Sequence, residues 1–99
     1  MIIIQAEDGA IVTNPREIYI DKDLEGHLHI YADLSSTDRI KAVKLTVFGY
    51  SKDVLGQMLE TMYKRMYNWL FEDECPHYII RMDEMRDLIR QERMEGSHD

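Results

Sequence analysis

The chain has 99 residues, 44% of them hydrophobic and 31% charged, with a formal net charge of -7. That length fits one small domain, residues 1–95 with a frayed end at 96–99, burying somewhat more than ~60% of its unfolded surface. The acidity argues against direct binding of nucleic acid or of an anionic membrane, and the lone cysteine, Cys75, excludes an internal disulfide and fits a reducing compartment.

The run Ile2-Ile3-Ile4 signals a strand from the start. Strand side chains alternate between faces, so an unbroken apolar run predicts a central strand or one capped by a partner. Glu7-Asp8-Gly9 breaks the run before Ala10-Ile11-Val12, giving a first hairpin, and Asn14-Pro15 marks the next turn. Residues 17–21 and 27–32 then alternate with period two across the turn residues 22–26, which predicts an antiparallel hairpin with Ile18, Ile20, Leu28, Ile30 and Ala32 inward. A symmetric turn would set Asp21 opposite His27, Tyr19 opposite His29 and Glu17 opposite Tyr31. On that register His29 points to the wet face, so His29→Ala is expected to change stability by less than about 0.5 kcal/mol.

Ser35-Ser36-Thr37-Asp38 reads as a loop, and residues 40–48 as a further strand whose pattern slips between Ala42 and Val43, as at a bulge. Ser51 is a good N-cap with Asp53 in the first turn, and the periodicity predicts a helix over 52–71. Leu55, Met58, Leu59, Met62, Met66, Trp69 and Leu70 make its apolar stripe, with Tyr63 and Tyr67 along the edge. The arc spans roughly 220°, well beyond the ~100° needed to sit on one sheet, so a second element or a second chain must cover the flank. The acids at 72–74 oppose a helix C-terminus, and Pro76 removes Cys75 from helical geometry. After it, residues 78–82 favour a strand followed by a short helix over 84–94 capped by Asp83; one helix from Pro76 onward is the alternative.

Candidate chemistry is sparse. His27, His29 and Asp21 share a face on the expected register, and imidazoles with a carboxylate suit Zn²⁺ or another transition metal, although a site needs three or four convergent ligands. The same face gathers Tyr19, His29 and Tyr31, side chains suited to a contact surface. Cys75 beside His77 suggests an activated thiolate, but the intervening Pro76 makes a directed hydrogen bond hard to arrange. A Gly-flanked serine, a phosphate-binding glycine loop and a paired metal motif are all missing from the sequence, so the expectation is a protein that is not an enzyme and uses no cofactor. The methionines at 58, 62, 66, 82, 85 and 94 read as core filler or as an adaptable binding surface.

The order of the segments MIII-Q-EDG-IV, EIYI, LHIYADL, LTVFGYSKDVLGQMLETMY and HYIIRMDE resembles that of small proteins carried by bacteriophages and integrating elements of Gram-positive bacteria, over roughly residues 1–83. In that family a strand meander runs into one long helix. The resemblance implies no activity; it implies a mobile-element accessory protein, a kind that often acts by binding a host or phage protein.

The expected fold is α+β, a mainly antiparallel sheet of four or five strands with the long helix on one face and a short C-terminal helix. The expected function is that of a non-enzymatic, cytoplasmic interaction protein, homodimeric, with Tyr19, His29, Tyr31, Tyr63, Tyr67 and Trp69 as contact residues and no membrane partner. Two alternatives stay open: a metal protein or small enzyme on the His27, His29 and Asp21 face, and an acidic nucleic-acid mimic of the anti-restriction or anti-CRISPR type.

Overall fold

The computed structural model describes residues 1–34, 42–47, 49–72 and 75–96. The expected loop at 35–38, residues 40, 41 and 48 of the expected strand, Asp73 and Glu74 of the acidic run, and residues 97–99 of the expected frayed end lie outside the described residues. The elements are β1 (Ile2–Gln5), β2 (Ile11–Thr13), β3 (Glu17–Lys22), β4 (Leu28–Asp33), β5 (Ala42–Lys44), α1 (Lys52–Glu72), β6 (Tyr78–Arg81) and α2 (Met82–Gly96).

The architecture is α+β, but the strands form two three-stranded sheets, β2-β1-β6 and β3-β4-β5, in place of the single sheet expected. β1 pairs antiparallel with β2 and parallel with β6, so that Val12, Ile4 and Ile80 stand abreast. A parallel neighbour needs a long crossover, and α1 supplies it. The first hairpin turns at Gly9, whose φ of 94° is open to glycine, with Ala6 N–H donating to Ala10 O at 2.8 Å. Asn14, at φ 48°, exchanges bonds with Ile2: its Oδ1 accepts Ile2 N–H at 2.8 Å and its N–H donates to Ile2 O at 2.7 Å. Leu45 stitches the two sheets together, donating its N–H to Ile30 O at 2.8 Å and accepting from Glu7 N–H at 3.0 Å. Of the strand expected over 40–48, the described residues pair as β5 over Ala42–Lys44; Leu45 keeps its N–H on Ile30 O, but its carbonyl turns to Glu7.

The second hairpin forms as expected, but its register is shifted by two residues: Asp21 faces His29, Tyr19 faces Tyr31 and Glu17 faces Asp33. Ile18 and Ile30 are buried, with Ile20 and Leu28 packed at the edge of the core. The long helix runs one residue past the expected end, with Ser51 Oγ accepting Val54 N–H at 3.3 Å as its cap. The strand-then-helix reading of the C-terminal part is the one found, except that α2 starts at Met82, which places Asp83 in its first turn.

Leu55, Met58 and Met62 of α1 and Met82, Met85 and Ile89 of α2 close the core over Ile4, Val12, Ile80, Ile18, Ile30 and Ala32. These methionines are therefore core filler, and α2 covers one flank of α1 within the same chain. Glu7 fixes this arrangement. Its side chain is only 3% exposed, accepting Tyr50 O–H at 2.8 Å and Val47 N–H at 3.2 Å, with Arg86 Nη1 of α2 at 3.4 Å. Burial and that carboxylate push the Tyr50 phenol up to about 12. β1 is central by hydrogen bonding, yet cover comes on one side only: Ile11 and Ile79, on the face opposite the buried Val12 and Ile80, are 68% and 58% exposed.

Candidate protein-docking surface

The flank of α1 away from α2 remains bare. Along it Tyr63, Tyr67, Leu70 and Phe71 are 47%, 64%, 66% and 67% exposed. Ile2, Tyr63, Met66, Tyr67, Trp69 and Leu70 line a shallow groove of ≈ 370 Å³ between the helix and β1. The rings are held in place: Tyr63 O–H donates to Ile18 O at 2.9 Å, Tyr67 and Phe71 lie 4.6 Å apart, and Trp69 stacks on Tyr78 at 6.1 Å while its Nε1–H donates to Cys75 O at 2.8 Å. Pre-ordered aromatic side chains with polar tips bind protein surfaces at low entropic cost. Trp69, expected as an exposed contact, is half-buried and serves mainly as the wall of the groove, because its stacking and hydrogen bond turn it toward β6.

The β3–β4 face is a separate surface. Tyr19 and Tyr31 stack at 5.9 Å with an interplanar angle of 20°, and with Asp21, Lys22, Asp23, Leu24 and Ala42 they border a depression of ≈ 400 Å³. Both phenols are raised above the usual tyrosine value, by burial first and then by nearby carboxylates, among them Asp33 and Asp21 for Tyr19 and Asp23 and Asp21 for Tyr31. His29, expected on the wet side with them, is instead 3% exposed. Its Nδ1 lies 3.1 Å from Thr46 Oγ1 and its Nε2 2.9 Å from Asp23 Oδ2. Thr46 Oγ1 also accepts Ile30 N–H at 3.3 Å, which leaves the threonine proton for Nδ1 and sets the Nε2–H tautomer that donates to Asp23. His29 is thus a buried strut and not a contact residue.

Asp23 and Thr46 escaped the sequence reading. For Asp23 a signal existed: an aspartate opening a turn that closes at Gly26, where its Oδ1 accepts Glu25 and His27 N–H, both at 2.9 Å. Those bonds, the one from His27 above all, hold the Asp23 carboxyl below its ordinary range. A carboxyl lowered by folding contributes stability that is complete above its unfolded value near ~4 and is lost as pH falls through the folded value. The stability advantage of the native chain over Asp23→Asn should therefore be constant at pH 5 and above and shrink between pH 4 and pH 2. Urea unfolding at each pH measures it, and an advantage undiminished at pH 2 would refute the assignment.

The alternative metal face of His27, His29 and Asp21 does not assemble among the described residues. His27 lies in the turn, 61% exposed, near Asp23 and Glu25, while both ring nitrogens of His29 are committed within the protein. Among the described residues no three such side chains group so as to hold a metal ion. Cys75 and His77 are both exposed. No described helix is long and apolar enough to cross a membrane. No family model, no curated protein and no solved structure matches this chain.

Proposed function

We propose that this is a non-enzymatic interaction protein that docks another protein chain on the bare flank of α1. The observation that carries the reading is the row of Tyr63, Tyr67, Leu70 and Phe71, about half to two-thirds exposed, the first three of them lining an open groove. At ~200 Å² per ring the three aromatics leave roughly 350 Å² of surface to water, in the range of functional patches on monomers. The resemblance to mobile-element proteins supplies the context, a cytoplasmic accessory protein whose partner is a host or phage protein.

Replacing Tyr67 with photoreactive benzoyl-phenylalanine tests this directly. Irradiation in the native host should trap a protein adduct of discrete mass, absent when the same group replaces Leu24, which is fully exposed on the distant β3–β4 turn. Equal labelling at both positions, or none, would remove the support for docking.

A second reading, occupation of a partner's basic nucleic-acid-binding groove, is favoured by the β3–β4 face, where Glu17 stands directly opposite Asp33 with Asp21 on the same strand face. Glu17→Lys with Asp21→Lys would abolish such binding while leaving the α1 adduct intact.

A further inference from the structure

Resting on the docking reading, we infer that the chain seated on α1 is a second copy of this protein, packed antiparallel through a two-fold axis at Tyr63. The first argument is area. The chain exposes 7082 Å², where ~5,900 Å² is expected of a monomer of 11.8 kDa. That excess of about 1,200 Å² belongs to the whole chain; on the α1 flank the exposed aromatics alone supply roughly 350 Å² of the ~800 Å² per partner that a stable dimer buries. The shape agrees: the radius of gyration is 14.2 Å against ~12.6 Å for a compact chain of this length, and the thinnest extent is 19 Å. A slab this thin leaves much of its surface without a layer above it.

The second argument is the match of the flank to itself. Gly56, Tyr63 and Leu70 recur at seven-residue spacing along one row of α1, with Leu59, Met66 and Tyr67 beside it. In an antiparallel pair centred on Tyr63, positions equally far before and after the axis meet. Leu70 then lies over Gly56 of the second copy, and Tyr67 over Leu59. Glycine weakens a helix interior, and no contact with the described residues requires it here, since a Cβ at Gly56 would meet no atom within 4 Å. The gap it leaves is the space that Leu70 of the other copy fills. Large opposite small at each end, with tyrosine meeting tyrosine at the axis, makes the patch self-complementary, as a two-fold interface must be. Two chains of net charge -7 also need a contact that does not oppose like charges. At the rim stand Glu60 and Lys64, of opposite sign and 3.0 Å apart, close enough to the axis to exchange partners.

Sedimentation equilibrium at micromolar concentration should give twice the 11.8 kDa chain mass. A Cβ at Gly56 meets no atom of its own chain, so Gly56→Leu should keep the far-ultraviolet helical signal, project into the gap and weaken dimerisation at least about tenfold; Leu70→Glu should do the same. In a Cys75→Ser background, a mixture of Gly56→Cys and Leu70→Cys chains should oxidise to a cross-linked heterodimer. A native dimer unaffected by Gly56→Leu, or failure of the mixed cross-link, would overturn the arrangement. A native monomer that still gives a Tyr67 adduct of another mass would overturn the second copy and leave docking standing, whereas a monomer with no adduct would remove both.

Discussion

Ile30→Asp leaves the chain unfolded. Ile30 is 0% exposed on the central strand of the β3-β4-β5 sheet, opposite Ile20 and inside the cluster formed with α1. Its side chain contributes roughly 1.5–3 kcal/mol by burial, and a carboxylate in its place adds a desolvation cost of several kcal/mol that no neighbouring cation offsets among the described residues. A small domain is stable by about 5–15 kcal/mol in all, and one this short sits at the lower end. The backbone of Ile30 also accepts Leu45 N–H, and Leu45 O in turn accepts the N–H of Glu7 just beyond β1, so local failure there propagates to the other sheet. Loss of dispersed amide signals in a proton–nitrogen correlation spectrum is the expected readout; a folded spectrum would show that the second sheet is dispensable.

His29→Ala should cost about 2 kcal/mol, contrary to the tolerance that alternation alone suggests. Removing the ring deprives the Thr46 hydroxyl of its acceptor in a fully buried site and opens a cavity beside Tyr31, whose ring meets the imidazole edge-on at 6.4 Å. A buried polar group left unmatched costs about 1–3 kcal/mol. Thr46→Val should cost about as much, because it strips both the Nδ1 partner and the hydroxyl that accepts Ile30 N–H. The double variant should cost clearly less than the sum, since the two side chains share one hydrogen bond. Urea midpoints for the four proteins close the cycle, and strict additivity would mean that the His29–Thr46 contact carries no weight.

Much of the fold was legible because its signals are local. Period-two alternation located β3 and β4, the Ser51 cap and a three-to-four spacing located α1, and adjacent isoleucines after Pro76 located β6. What was misread turned on a turn or on distance. The hairpin register followed from Asp23 folding its side chain over the turn, which moved every cross-strand pair by two residues; His29 kept its face and is buried because Thr46 and Asp23 close over it there. The division into two sheets followed from β1 choosing β6, a strand some 75 residues away in the chain, as Met1 N to Pro76 O at 2.7 Å makes plain. Periodicity within a segment has no means of naming a partner so remote. The bare flank was foreseeable as an arc too wide for one sheet, but which side of α1 stays bare was not. By itself the sequence determined the element types, the inward residues of the regular hairpin, and the presence of an aromatic surplus on the long helix. Only the tertiary structure decided strand partners, the burial of His29 and Glu7, and the placing of α2 over one flank of α1, because each depends on contacts between segments whose relative position no local spacing encodes.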